Sequence, residues 1–168
     1  RAGLPTALIV CEGRCTEPYY LGGLLEHLGV NAANAHIQTG SYKTDALSLV
    51  RDARARFRST PEYDHVFVVL DGDQAHLDEA RREAGKGMAK AGGGRVTVEL
   101  IVTSPCFEYW LLLHFEYTTR GLRSVEAVRA LEAHLTDYEK GDREIFAKVS
   151  GGLAMAEANA ARGIRDIA

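Results

Sequence analysis

Runs of apolar and β-branched residues alternate along the chain with segments in which apolar residues recur every three or four positions. The first pattern predicts strands and the second predicts helices. Four strands are predicted, in the segments TALIVC, AHIQTG, HVFVVL and RVTVELIV. The HVFVVL segment is continuously apolar and rich in β-branched and aromatic residues, which is typical of a strand at the centre of a sheet.

Helical patterns follow the first three strands. The segment EPYYLGGLLEHLG carries leucines on one face, with Thr16 as its predicted N-cap and Gly29 as its stop. The segment TDALSLVRDARARFRST is predicted to be a helix capped by Thr44 or Asp45. After the third strand, HLDEARREAGKGMAKA is predicted to be a polar surface helix that ends at a triple-glycine loop.

Three further helices are predicted in the last third of the chain. SPCFEYWLLLHFEY is expected to be buried, with Ser104 as its N-cap and Pro105 in its first position. SVEAVRALEAHL and the segment from Asp142 onward are amphipathic. In the buried helix, His114 follows Trp110 by four residues and shares its face, so we expect a hydrogen-bonded core histidine rather than a ligand.

Strand and helix alternation predicts an α/β fold. Its mostly parallel central sheet of about four strands is covered by helices on both faces, with additional helices at the C-terminal end. No repeat or linker divides the chain, so residues 1–168 are predicted to form a single domain. The chain begins at an arginine and ends in a helical pattern, and we expect the natural protein to continue beyond both ends.

Composition narrows the class of protein. Of 168 residues, 46% are hydrophobic and 26% are charged, as in soluble globular proteins. The longest apolar segment is shorter than the roughly 18 residues that a membrane span needs. Three cysteines without a CxxC pair predict reduced thiols and a cytoplasmic location, with no zinc site. A net charge of −3 does not indicate nucleic-acid binding, but a nuclease needs acids in its site and can keep its bases in a local patch.

Acidic residues stand where three of the predicted strands end. Glu12-Gly13 follows the first strand, Asp71-Gly72-Asp73 the third, and Glu108 lies just beyond the fourth. Each alone is explained by a turn or by the dipole of a helix. Together, at one edge of a parallel sheet, they repel one another unless a cation lies between them.

The residue types indicate which cation is expected. Carboxylate oxygens without soft ligands favour Mg²⁺ or Mn²⁺. Gly72 is predicted to turn the chain so that Asp71 and Asp73 both face the same ion, while Glu17 lies one turn further into the helix after Glu12. The sequence therefore predicts a metal site at this edge of the sheet.

This arrangement resembles the Toprim domain, a Rossmann-like α/β domain of topoisomerases, primases and nucleases, in its glutamate-glycine after the first strand and its DxD after the third. The chain is more closely similar to the RloB family, Toprim-like proteins associated with restriction, phage defence and abortive infection. The stretches IVCEGRCTEPYY, VFVVLDGDQAH and SPCFEYWLLLHFE carry the resemblance, with a weaker match in YEKGDREIFAKV. The chain differs from this family pattern at Gly72, between the two aspartates, where relatives often have a basic residue.

The resemblance implies roles for individual residues. Asp71 and Asp73 are expected to ligate the metal, and Glu12 to ligate it or to act as general base or acid. Glu17 and Glu108 are expected to complete a second metal site. Lys140 is expected to neutralise charge on the phosphate in the transition state.

Arginines near the acids are candidates for phosphate contacts. Arg14 adjoins Glu12 in its loop and is expected to point toward a bound phosphate. Arg51, Arg54 and Arg58 form a basic stripe on the second helix, which is either a solvated face, the more common case, or a nucleic-acid contact.

The leading interpretation is a metal-dependent nuclease that hydrolyses phosphodiester bonds of DNA or RNA in phage defence. Topoisomerases and primases need additional domains for which the chain has no room. The alternative is a subunit that binds nucleic acid or an ATPase encoded nearby and has little activity alone. A phosphotransfer enzyme for small molecules fits poorly, because the chain has no P-loop and no GxGxxG motif.

Overall fold

The computed structural model describes residues 3–41 and 45–167. The strands are β1 (Ala7–Cys11), β2 (Ala35–Thr39), β3 (His65–Asp71), β4 (Met88–Ala89), β5 (Arg95–Val96) and β6 (Val98–Thr103). The helices are α1 (Thr16–His27), α2 (Ala46–Ser59), α3 (Leu77–Ala84), α4 (Phe107–Leu112), α5 (Ser124–His134), α6 (Ile145–Val149) and α7 (Leu153–Ile167), with a 3-10 turn at Ser150–Gly152. Within the described ranges, no helix has the length and apolar character that crossing a membrane requires.

The central sheet has four parallel strands in the order β2-β1-β3-β6, which confirms the predicted α/β architecture and the central position of the HVFVVL strand. Cys11, the last residue of β1, pairs with Thr39 of β2 and Val69 of β3, and Asp71 pairs with Thr103 of β6. The carboxyl ends of β1, β3 and β6 therefore meet at one edge, as the sequence predicts.

Helices cover both faces of the sheet because successive strand residues point to opposite sides. Leu8 and Val10 of β1 pack with α2 and α3 on one face. Ile9 and Cys11 pack on the other face with α1, α4, α5 and α6. The predicted coverage of both faces is confirmed.

Tyr20 lies at the centre of the second face. Its ring makes edge-to-face contacts with Phe107, Trp110 and Phe146. The Nδ1–H of His114 donates to the Trp110 carbonyl at 3.0 Å, so its Nε2 accepts from the Tyr20 hydroxyl at 2.9 Å. Burial lowers the pKa of His114. His114 is thus a neutral, hydrogen-bonded core residue, as predicted.

The predicted surface helix after β3 is too long. Helix α3 ends at Ala84, and Met88–Ala89 then pairs with Arg95–Val96 in a short antiparallel hairpin. Gly92 to Gly94 all adopt positive φ, which glycine tolerates without strain, and they form the tip of this hairpin. The fourth predicted strand is therefore divided, and its second part, β6, joins the central sheet.

The predicted cap of α2 is confirmed, whereas the starts of α1 and α4 differ from prediction by one and two residues. Asp45 caps α2 by accepting from the Ser48 N–H at 3.0 Å, whereas Thr44 lies outside the described residues. Thr16 is the first residue inside α1, after Cys15 at the N-cap, and Gly29 ends that helix with a φ of 71°. Ser104 does not cap α4, which starts at Phe107 after a cis Ser104–Pro105 peptide.

Candidate functional site

Glu12 joins the carboxyl ends of β1 and β3. Its backbone N–H donates to the Val69 carbonyl at 2.9 Å, which extends the strand pairing by one residue. Its Oε2 accepts from the Asp71 backbone N–H at 2.9 Å, and its Oε1 accepts from Gln74 Nε2. Two donors therefore orient the Glu12 carboxylate at the end of β3.

Asp71 extends the connection to β6 and α4. Its Oδ1 accepts from the Phe107 backbone N–H at 2.9 Å and from Thr103 Oγ1 at 3.3 Å. The next residue, Gly72, donates its N–H to the Thr103 carbonyl at 2.8 Å. A Cβ on Gly72 would lie 2.8 Å from the Cβ of Ser104, so glycine is required here by the close approach of the loop after β6.

A cavity of about 370 Å³ opens at this edge of the sheet. Glu17 reaches it from the first turn of α1, and its carboxylate lies so close over Gly13 that a Cβ there would be 1.8 Å from Oε2. Four carboxylates therefore face one space. The cavity is lined by Glu12, Gly13, Arg14, Cys15, Thr16, Glu17, Asp71, Phe107, Glu108 and Lys140.

The loop after α5 supplies one of the two cations that line the cavity, Lys140. Glu108 Oε1 accepts from the Tyr138 hydroxyl at 3.0 Å and lies 3.4 Å from Lys140 Nζ. The Gly141 backbone N–H donates to Thr16 Oγ1 at 3.2 Å, which fixes the loop against the start of α1. The segment of the chain that carries the weakest resemblance to the RloB family therefore lies against the three strand ends.

The acids of the cavity have shifted pKa values. Burial, followed by the charges of Glu12, Glu17 and Glu108, raises the pKa of Asp71 to about 7. Burial also raises the pKa of Glu17, with Glu108 and Glu12 adding to the effect. The pKa of Glu12 is raised mainly by burial, against the hydrogen bonds from Asp71 and Gln74.

Glu108 behaves differently from the other acids. Burial alone would raise its pKa, but its backbone N–H, Lys140, Cys106 and Tyr138 together lower it. In turn, Glu108 is the main cause of the raised pKa of Lys140. Glu108 is therefore held as an ion, whereas Asp71 crowds other carboxylates at a cost in free energy.

Asp73 does not border the cavity. Its side chain is exposed, and its Oδ2 accepts from Ser124 Oγ at 3.1 Å, at the start of α5. Its charge still raises the pKa of Glu12. The structure therefore brings together Glu12, Glu17, Asp71, Glu108 and Lys140, and it directs the side chain of Asp73 toward the rim.

The predicted arginines have different environments. Arg14 is exposed and borders the cavity. Arg51 and Arg58 are exposed on α2, but Arg54 is buried, with its Nε 3.2 Å from Glu83 Oε1. Arg54 also donates to the Glu83 carbonyl at 3.2 Å and to the Lys86 carbonyl. It joins α2 to the end of α3, so the three arginines of the stripe do not form one surface.

Gln74 and Tyr138 are site residues that the sequence did not predict. Each contacts an acid of the cavity, Gln74 through Glu12 and Tyr138 through Glu108. Gln74 directly follows the DxD, a signal that could have suggested a contact with an acid. Tyr138 has no such signal, because its contact depends on how the loop after α5 folds back.

A family model described as RloB-like protein matches residues 7–166. The chain belongs to the RloB family. The match confirms the resemblance and includes all the residues that line the cavity. No curated protein and no solved structure matches the chain.

The donor set fits a hard divalent cation. Across residues 3–41 and 45–167, no three His, Cys, Asp or Glu side chains form a group that could hold a metal by themselves. Mg²⁺ does not need such a group, because it keeps several waters and is commonly held by one or two carboxylates together with substrate phosphate. Asp71 and Glu12, at two adjacent strand ends, meet that requirement.

Proposed function

We propose that this member of the RloB family is a Mg²⁺- or Mn²⁺-dependent nuclease that hydrolyses phosphodiester bonds, and that it acts in defence against phage. One observation carries the proposal. Four acidic side chains and Lys140 line one cavity, and burial together with the neighbouring acids raises the pKa of Asp71 to about 7. A fold keeps such repelling charges when a function requires them.

Asp71 and Glu12 would hold the metal, with the Glu17 carboxylate lining the same cavity. A bound divalent ion would supply positive charge to the phosphate and lower the pKa of a water. The defence role rests on the resemblance of the chain to proteins found at restriction and phage-defence loci.

Hydrolysis also needs a group that accepts a proton from the attacking water and a positive charge beside the phosphate, and residues of the chain would supply both. The Asp71 N–H and Gln74 orient the Glu12 carboxylate, and burial raises its pKa, so the ionised group would readily accept a proton from the attacking water. Lys140, which lies beside Glu108, would contact a phosphate oxygen as negative charge develops on it. The bond to the leaving oxygen would break as the water oxygen bonds to phosphorus, and the leaving oxygen would take its proton from solvent water.

The test is incubation with supercoiled plasmid, linear duplex, single-stranded DNA and RNA in Mg²⁺, Mn²⁺ or EDTA. We expect cleavage only with metal, and a loss of about 10²–10⁴-fold in Glu12→Gln and in Asp71→Asn. Asp78→Asn is the matched control, because it makes the same chemical change on the exposed Asp78 side chain of α3. Metal-independent cleavage, or full activity of Asp71→Asn, would remove the cavity as the catalytic site.

A further inference from the structure

A second cavity, of about 330 Å³, lies beside the first. It is bordered by the loop after β6, the loop between α4 and α5, and the last turns of α7. Its lining includes Ser104, Tyr109, Tyr117, Arg120, Gly163 and Asp166. Its volume falls in the range of small-molecule sites.

The hydroxyl groups of the two tyrosines that line the cavity are both bonded within the protein. The Tyr109 hydroxyl donates to the Thr118 carbonyl at 3.1 Å, and the Tyr117 hydroxyl donates to Asp166 Oδ2. The Arg162 guanidinium lies 4.1 Å from the centre of the Tyr117 ring and 3.7 Å from Asp166 Oδ2. Both hydroxyls are thus used inside the protein, and the charge of Asp166 is balanced.

Two contacts connect this second cavity to the Asp71-Gly72-Asp73 loop. Ser104 borders the cavity and packs against Gly72 so closely that a Cβ on Gly72 would lie 2.8 Å from its own Cβ. Leu122 also borders the cavity, and two residues later Ser124 donates to Asp73 at 3.1 Å. The Asp71-Gly72-Asp73 loop therefore borders the first cavity through Asp71 and contacts the wall of the second through Gly72.

We propose that the second cavity binds an unpaired nucleobase next to the scissile phosphate, so that the substrate is single-stranded nucleic acid. The inference rests on the proposed function and adds the substrate class. Aromatic rings beside an arginine are the usual means of holding bases without sequence preference, the ring by stacking and the arginine by contact with the backbone. Only a base that is neither paired nor stacked in a duplex can enter a separate cavity.

Gly163 allows a test that preserves the fold. It lies on the cavity wall in α7, and a Cβ there meets no heavy atom within 4 Å. Gly163→Leu therefore adds an apolar side chain at the cavity wall, starting from a Cβ that meets no neighbouring atom. Gly22→Leu is the matched control, since Gly22 is also helical with equally open space but lies on α1, away from this cavity. Tyr117→Leu removes the aromatic ring, and Tyr117→Phe keeps the ring but removes its hydroxyl.

Binding is measured by fluorescence anisotropy in EDTA, with labelled single-stranded DNA, single-stranded RNA and duplex DNA of one sequence. Gly163→Leu and Tyr117→Leu should weaken single-strand binding about 5- to 140-fold, the equivalent of roughly 1–3 kcal/mol for one stacked base. Duplex binding should not change, and Gly22→Leu and Tyr117→Phe should bind as the wild type does. The tighter of the two single strands identifies the sugar.

Three results would overturn the proposal: no single-strand binding by the wild type, wild-type affinity in Gly163→Leu, or equal losses for single strand and duplex. Because EDTA removes metal and hydrolysis, these outcomes are separate from the nuclease test. If the protein binds single strands through this cavity but does not cleave them, the base site is supported and the catalytic proposal is rejected. If cleavage requires Asp71 but Gly163→Leu binds single strands with wild-type affinity, the catalytic proposal stands and the base site is rejected.

Discussion

Lys140 Nζ lies 3.4 Å from Glu108 Oε1, and this ion pair joins the loop after α5 to the first turn of α4. The Lys140 side chain is 76% exposed, whereas that of Glu108 is only 6% exposed. The same glutamate oxygen accepts from Tyr138 at 3.0 Å, so Glu108 keeps a partner if the lysine is removed. The contribution of Lys140 to activity is therefore separable from its contribution to folding.

Lys140→Met should reduce cleavage by about 10²–10³-fold, because it removes a positive charge aimed at the phosphate. Its effect on the free energy of unfolding should be within about 0–1 kcal/mol, as for other exposed ion pairs. Rates and thermal melts are compared with those of Lys86→Met, which removes the exposed Lys86–Glu83 ion pair of 2.6 Å, outside the lining of the cavity. Equal cleavage by the two variants would show that Lys140 has no catalytic role.

Gly72→Ala should destabilise the protein by about 1–3 kcal/mol through overpacking. The new Cβ would lie 2.8 Å from Ser104 Cβ and 3.0 Å from Ser104 Cα, atoms that cannot move without the backbone. In Gly22→Ala the Cβ meets nothing within 4 Å, and the helix should gain about 0.5–1 kcal/mol. Denaturant unfolding measures both, and a Gly72→Ala protein as stable as the wild type would contradict the close approach.

Arg54→Leu should cost about 1–3 kcal/mol of stability, because it removes the Arg54 hydrogen bond to the Lys86 carbonyl and leaves the Glu83 carboxylate without its buried ion-pair partner. Arg58→Leu, on the exposed side of α2, should change stability little. Denaturant unfolding of the two variants checks this. Loss of nucleic-acid affinity in Arg54→Leu at full stability would instead support a surface role for Arg54.

The sheet and the location of the site were predictable because both depend on short-range patterns. Continuous β-branched runs mark strands buried on both faces, and parallel strands bring Glu12, Asp71 and the segment before Glu108 to one edge. The burial of Arg54 could also be predicted from the sequence. It lies four residues after Val50 and three before Phe57, both buried, so helical spacing places it on the inner face.

The features that the sequence did not predict depend on contacts between distant segments. Asp73 points to the rim because Ser124, 51 residues later, donates to it. Tyr138 reaches Glu108 because Gly141 fixes its loop to Thr16. The hairpin after α3 forms where sequence periodicity still favoured a helix, since the glycines around it weaken helix propensity.

The raised pKa of Asp71 makes the stability of the metal-free protein depend on pH. The pKa of an Asp in the unfolded chain is near the ordinary value of 3.8, whereas burial and the neighbouring acids raise the pKa of Asp71 to about 7 in the folded protein. Protonation therefore favours the folded state, and this stability is lost as the pH rises from the lower value through the upper one. In EDTA, Asp71→Asn should melt at a higher temperature than the wild type above about pH 7.

Thermal melts of the wild type, Asp71→Asn and Asp78→Asn across this pH range test the direction in which stability changes with pH. The difference between wild type and Asp71→Asn should widen as the pH rises, because only the wild type gains a charge beside Glu12 and Glu17. Asp78→Asn should follow the wild type at every pH. A constant difference would show that Asp71 ionises normally in the folded protein.

Metal titration distinguishes the two aspartates of the DxD. A cation that binds only the folded cavity stabilises it by about 2.7 kcal/mol at a hundredfold excess over its dissociation constant, a melting shift of roughly 5–10 °C. Mn²⁺ should act at lower concentration than Mg²⁺, since transition metals bind such ligands more tightly. If both aspartates were ligands, as the family resemblance implies, Asp73→Asn would abolish most of the shift as well. Because Asp73 bonds Ser124 at the rim while Asp71 lines the cavity, Asp71→Asn should abolish it and Asp73→Asn should leave a measurable part. A wild type with no shift would exclude a metal in this cavity, and an equal loss in both variants would place Asp73 among the ligands once metal binds.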